Sequence, residues 1–308
     1  MIIEELVSKV SEISRETEYW FVRTDSGKYF DTFTNNGFIG IGWNQITLDE
    51  LLNSQKDVVK EKIARIEELD PQDQNSKGNI TAIYNKLLNF INLRKGDIVI
   101  IPSHSSNYFA FGEVSDSLTY IENDNLADCE FRKRKKIRWI TKKAIGDLDP
   151  TFHKIKISRH TISSVKDYSR YIDNVISNLY IKEDNTHFVL DIKTQREINV
   201  KSLLKLVEGI QDLVESIDVH FQLNEEIDYN AIRLNLQSPG KIEFKLQVGK
   251  SLIILAAVLS LTCCDSSSAN IQHKEELENI IEINNDTLQS IKNVMDELEV
   301  DRQKINSF

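Results

Sequence analysis

The chain has 308 residues, 40% hydrophobic and 28% charged, with a formal net charge of −10; this is enough for two domains with their own cores and excludes a globally disordered chain. Four prolines, 11 glycines and the lack of a visible repeat exclude fibrous and solenoid classes. The charge divides unevenly, with −10 over residues 1–130, +10 over residues 131–170 and −10 over residues 171–308, so an acidic chain that repels polyanions overall holds one basic segment able to guide them.

The cysteines are Cys129, Cys263 and Cys264, without a Cys-x-x-Cys or a disulfide framework, which points to a reducing, cytoplasmic compartment. Residues 1–18 lack the basic start and apolar block of a signal peptide and are expected to belong to the mature fold.

In chain order, the spacing of Ile3, Leu6, Val10 and Ile13 predicts a short helix, and Tyr19-Trp-Phe-Val-Arg23 predicts a strand ending in a turn at Asp25-Ser-Gly27. A reversal at Asn35-Asn-Gly37 leads into Phe38-Ile-Gly-Ile-Gly-Trp43, whose glycines allow close approach to the backbone. Helical periodicity covers Leu48 to Leu69 and Ile80 to Leu93. Strands follow at Ile98–Pro102, Tyr108–Val114, Phe131–Lys143 and Phe152–Ile157. Residues 162–181 have helical spacing and precede a polar break, Lys182-Glu-Asp-Asn-Thr186.

The second half predicts a strand at 187–193, a helix at about 197–217, and short strands around His220, Ile232 and Phe244. Residues 251–264 are apolar on every face but too short for the ~20 residues of a bilayer span, so a buried helix is expected. Residues 272–305 are expected to form a helix whose seam Leu277, Ile281, Asn284, Leu288, Ile291, Met295, Leu298 steps by heptads. That seam either drives self-association as a coiled coil or lies on its own domain. The expected organisation is α+β: domain 1–160, a helical linker 161–185 and an α+β domain 186–308 ending in a long C-terminal helix.

Five blocks in the first half occur together: Trp20-Phe-Val-Arg23, Gly37-Phe-Ile-Gly-Ile-Gly-Trp43, Lys95-Gly-Asp-Ile-Val-Ile-Ile-Pro102, Phe111-Gly-Glu-Val114 and Lys136-Ile-Arg-Trp139. In this order, residues 18–160 resemble the PUA-like domain at the N-terminus of Mrr-type restriction-system proteins, which is similar to the PUA, ASCH and EVE β-barrels. The resemblance implies a mainly antiparallel barrel with inserted helices that binds DNA or RNA, modified bases included, in bacterial restriction or antiviral defence. An acidic loop, Asp116 to Asp128, departs from that pattern just before the basic strip.

Within those blocks Arg23, Trp43, Ser103 and His104 stand at strand ends and are expected to converge on a pocket. Trp43 would stack on a base, Arg23 would pair with phosphate or a base edge, and Ser103 or His104 would hydrogen-bond it. The bland reading makes Trp20, Trp43 and Trp139 core residues. Arg132, Lys133, Arg134 and Lys135, with Lys136 behind them, are either a phosphate-binding strip or a solvated strand edge.

Asp228, Glu243 and Lys245 have the order of a metal-dependent nuclease and would hold Mg²⁺ in that alternative. No metal or cofactor is expected otherwise, because the six histidines show no ligand spacing and no Ser or Cys stands in a nucleophile elbow. Gly249-Lys-Ser251 lacks the earlier glycine of a phosphate loop, since that position is Phe244. The leading expectation is a non-enzymatic recognition protein whose second domain mediates assembly as a homo-oligomer. A membrane effector acting through residues 252–264 is the remaining alternative.

Overall fold

The structure, a computed structural model, describes residues 2–302 and Ile305 without 125, 195, 227–231, 236–239, 248 and 264–273. It divides into two compact units, Thr17–Ile176 and a second assembled from Met1–Glu16 with Ser177–Phe308. The expected boundaries therefore move. Helix α1 (Ile2–Lys9) and strand β1 (Ser11–Ile13) belong to the second unit, because the buried stripe Ile2 and Leu6 joins its core.

The Thr17–Ile176 unit runs β2 (Tyr19–Val22), α2 (Phe30–Asn36), β3 (Phe38–Ile41), α3 (Leu48–Asn53), α4 (Lys56–Ile66), α5 (Gln74–Ile91), β4 (Ile98–Pro102), β5 (Tyr108–Val114), β6 (Tyr120–Ile121), β7 (Lys133–Ala144), α6 (Phe152–Lys156), β8 (Ile162–Ser164) and α7 (Ser169–Ile176). Its sheet has the order β3-β7-β5-β4-β2-β8, with β6 also on β7, and curls into a half-barrel. All pairs are antiparallel except β2 with β4.

The apolar run of β4 is buried on both faces, as alternation requires. Val99 and Ile101 enter one core with Phe33, Ile39, Leu87 and Phe90, while Ile98 and Ile100 enter another with Phe21, Phe109, Phe111 and Phe152. The inserted helices have local causes. Thr47 and Glu50 form a capping box at the start of α3, Asp73 accepts from Ser76 N at the start of α5, and Gly37 (φ 66°) ends α2.

Two expectations in this unit are corrected. Residues 152–156 are helical, not a strand: Phe152 and Ile155, three apart, are both buried, while Ile157, whose spacing suggested alternation, is 72% exposed. Only 169–176 of the stretch 162–181 is α-helical, since β8 pairs with β2 and β9 (Leu179–Lys182) starts the next sheet. No helical linker separates the units.

The second unit continues with β10 (Asn185–Ile192), α8 (Val200–Phe221), β11 (Ile232–Asn235), β12 (Gly240–Gln247), α9 (Lys250–Cys263), α10 (Lys274–Ile283) and α11 (Asn285–Glu297). Its sheet has the order β1-β9-β10-β12-β11, with β1 parallel to β9. His220 lies in the last turn of α8, not on a strand. Helix α9 is buried on all faces from Leu252 to Leu259, as its composition predicts, and no helix among the described residues is long and apolar enough to cross a membrane.

The terminal heptads do not form one helix. At Asn284 the helix breaks, and the Asn284 amide donates to Ser216 Oγ (2.9 Å) and Ile280 O (3.0 Å). The seam residues Leu277, Leu288, Ile291, Met295 and Leu298 are buried in the core of their own unit, with Ile291 against Gly209 of α8. The heptad spacing thus serves an intramolecular face, so the coiled coil expected of this helix is replaced by packing on its own domain.

Candidate nucleic-acid interface

A turn at the end of β2 builds one wall of the candidate site. Thr24 is buried and donates from Oγ1 to Pro102 O (2.6 Å), while Lys28 N bonds Asp25 O and Tyr29 N bonds Thr24 O, both at 3.0 Å. Asp25 (φ 52°), Ser26 (φ 57°) and Gly27 (φ 96°) are all left-handed. At Gly27 a Cβ would lie 2.3 Å from His104 Cα, so only glycine lets the turn seat on the loop after β4.

Opposite that turn, Gly42 and Trp43 follow β3, and Trp43 is also left-handed (φ 55°). Three non-glycine residues in this sparsely populated conformation line one cavity of about 440 Å³. Such residues cost on the order of 1–3 kcal/mol each and cluster at ligand clamps. The volume lies within the ~300–1,000 Å³ range of small-molecule sites.

The remaining walls are Arg23, Phe131, Arg159 and Thr161. Arg23 is fixed by main-chain acceptors: Nε donates to Ser158 O (2.9 Å), and Nη2 donates to Lys156 O (2.9 Å) and also to Ser158 O. Partial burial lowers its pKa below the ordinary guanidinium value. Arg159 is exposed at the rim.

Trp43 is partly buried against the core, donates from Nε1 to Glu67 Oε1 (2.8 Å), and has Lys86 Nζ 5.9 Å from its ring centroid. Gly40 of β3 and Gly42 just after it admit Phe131: a Cβ at Gly40 would approach Phe131 Cβ to 2.9 Å, and one at Gly42 would lie 3.4 Å from Cε1. The close approach expected at these glycines is therefore made by a pocket wall.

The structure brings Arg23 and Trp43 together on one cavity, and places Ser103 and His104 outside its lining. Ser103 Oγ accepts from Tyr108 N (2.9 Å) and shapes its own loop, while His104 is exposed, with Nδ1 3.1 Å from Ser105 Oγ. Trp20 and Trp139 pack against the core, and Trp139 Nε1 donates to Phe33 O (2.8 Å).

The basic strip is corrected most. Lys133, Arg134 and Lys135 are 1%, 4% and 0% exposed. Lys133 Nζ donates to Trp43 O (2.8 Å) and Ile46 O (3.0 Å), and Lys135 Nζ to Leu93 O (2.7 Å) and Ser117 O (2.5 Å). Arg134 donates to Phe131 O and Cys129 O, both at 2.8 Å, beside Glu122. Burial pushes both lysines down to about 8. These cations answer main-chain carbonyls and cannot meet a phosphate backbone; Arg132 and Lys136 remain exposed. Arg159, which sequence reasoning missed, carries no signal beyond one cation in the polar segment Ser158-Arg-His160.

In the second unit Glu243 is buried and bonded to His187 Nδ1 (2.8 Å), which stacks on Tyr180. Lys245 shares its strand, Asp228 lies outside the described residues, and no metal-holding acidic or histidine cluster occurs among the described residues. The amides of Lys250 (2.5 Å) and Ser251 (3.3 Å) at the start of α9 bond the Glu225 carboxylate, which burial pushes up in pKa. An internal anion thus fills the helix start at Gly249-Lys-Ser251.

Among known families, a model described as a domain of unknown function (DUF8426) matches residues 20–166, which fall within the Thr17–Ile176 unit. No curated protein and no solved structure matches the chain.

Proposed function

We propose that the Thr17–Ile176 unit is a non-enzymatic recognition module that binds a nucleobase, standard or modified, in the cavity between the Asp25–Gly27 turn and Trp43. The observation that carries this reading is the convergence of a left-handed, hydrogen-bonded tryptophan with two arginines, one of them locked in place, on one cavity. Trp43 offers a π-face, Asp25 and Ser26 offer polar groups to a base edge, and Arg23 and Arg159 supply positive charge for phosphate. The curled sheet with inserted helices is in keeping with a PUA-like barrel, and the restriction or antiviral setting rests on that resemblance alone.

The reading requires no cofactor and goes with a reducing, cytoplasmic location, where Cys129 stays a buried thiol. The Mg²⁺-dependent nuclease reading is weaker, because Glu243 spends its carboxylate on His187. Assembly through the terminal helices is likewise disfavoured by the burial of their seam within one unit.

The test is fluorescence-polarisation binding of labelled DNA and RNA, with and without base modifications, across a salt series. Trp43→Ala and Arg159→Ala are each expected to weaken binding, the former by about 5- to 150-fold, the worth of one base stack. Lys135→Met should leave affinity unchanged. Binding indifferent to Trp43→Ala would remove the base-stacking role.

A further inference from the structure

We infer that the ligand is a stretch of single-stranded nucleic acid, not an isolated nucleotide, and that Tyr108 with Lys142 forms a second subsite for the same strand. The inference rests on the nucleotide-pocket reading above and extends it across the turn.

Tyr108 opens β5 and is 46% exposed although its neighbours Phe109, Ala110 and Phe111 are buried. The register pairs Ala110 with Lys142, so Tyr108 and Lys142 project from the same face of the sheet. Lys142 Nζ sits 5.1 Å from the Tyr108 ring centroid and 4.8 Å from that of Phe30. Among the described residues it has no carboxylate partner, which leaves its charge available to an external anion.

This cation and aromatic pair is tied to the cavity through the turn itself. Asp25 and Ser26 line the cavity, Gly27 is pressed against His104, and Phe30 N bonds Gly27 O (3.2 Å). The His104 loop is in turn held to Tyr108 through Ser103 Oγ (2.9 Å). The same turn therefore lines the cavity and, through the His104 loop, is connected to an exposed aromatic that carries an exposed ammonium over its ring.

The chemistry selects the ligand. Tyr108 needs an unpaired base to stack on, and a duplex hides its base faces, whereas a single strand presents both bases and phosphates. Lys142 at the second subsite and Arg159 at the cavity then neutralise successive parts of one backbone. A lone nucleotide in the cavity reaches only half of this surface.

The experiment titrates the full chain with single-stranded DNA and RNA oligomers of about eight nucleotides, within the ~4–16-nucleotide site sizes of comparable surfaces, and with the matching mononucleotide and duplex. Oligomers should bind more tightly than the mononucleotide. Tyr108→Ala should weaken oligomer binding about 5- to 150-fold and leave the mononucleotide unaffected, while Tyr108→Phe, which keeps the ring, should bind like the wild type. Lys142→Ala should lower the salt slope by about one. A mononucleotide bound as tightly as the oligomers, a duplex bound more tightly than either strand, or oligomer binding indifferent to Tyr108→Ala overturns the second subsite and leaves the cavity standing. Absence of binding by every species overturns both.

Discussion

Replacing Lys133 by methionine asks whether an ammonium buried behind Trp43 holds the pocket wall. Methionine reproduces the apolar stem and donates nothing. The Trp43 carbonyl keeps a second donor, Ile46 N at 3.0 Å, whereas the Ile46 carbonyl loses its ammonium. One stranded buried acceptor costs about 1–3 kcal/mol. Relief of the buried charge offsets part of this at neutral pH, so the variant should lose about 1 kcal/mol there.

The deficit should then grow with pH. Lys133 titrates near 8 in the native protein against 10.5 in the unfolded chain. Between those values the unfolded state holds a proton that the native state has released, so the wild type gains stability as pH rises and the variant does not. Lys135 titrates alike in both proteins and cancels. Urea denaturation followed by tryptophan fluorescence on both sides of pH 8 reads the difference. A variant as stable as the wild type throughout, or one whose deficit shrinks with rising pH, would refute the assignment of a desolvated amine to this site.

Two further outcomes follow from the packing and the ionic contacts. Gly209→Ala places a Cβ 2.9 Å from Ile291 Cγ1 and should cost about 1–3 kcal/mol by overpacking; Ile291→Val added to it should recover part of that loss in thermal melts, and strict additivity of the two changes would show that α8 and α11 do not meet there. Glu50, bonded to Lys62 Nζ (2.6 Å) and to Thr47 N (2.8 Å), is held down to about 2 from an ordinary 4.5. Its contribution is present above 4.5 and fades as pH falls toward 2, so Glu50→Gln should flatten acid unfolding over that window, and an unchanged acid limb would count against the ion pair.

The strands at Tyr19, Phe38, Ile98 and Tyr108 were legible because each is an apolar run bounded by turn residues, and α9 because it is apolar all round. Arg23 and Trp43 were legible as strand-end residues. What escaped reading depends on groups that carry no sequence signature. The strip 132–136 reads as solvated because the carbonyls of Trp43, Ile46, Leu93 and Ser117, which answer its lysines, come from three distant segments. The heptads of α10 and α11 specify an apolar face without saying whether its partner is another chain or, as here, α8. Residues 152–156 offer only five positions, over which periods of two and of 3.6 cannot be separated.

The division of the chain also sets an order of events during synthesis. Strand β1 needs β9 beside it, and α1 needs a core made from residues beyond 177, yet both are translated before those partners. At ~5–20 residues per second, on the order of ten seconds or more separates the emergence of Ile2 and Leu6 from that of their partners. Throughout that interval the apolar residues Ile2 and Leu6 lack the core that buries them. In sequence, the Thr17–Ile176 unit is thus an insertion between the two segments, Met1–Glu16 and Ser177–Phe308, that make up the second unit.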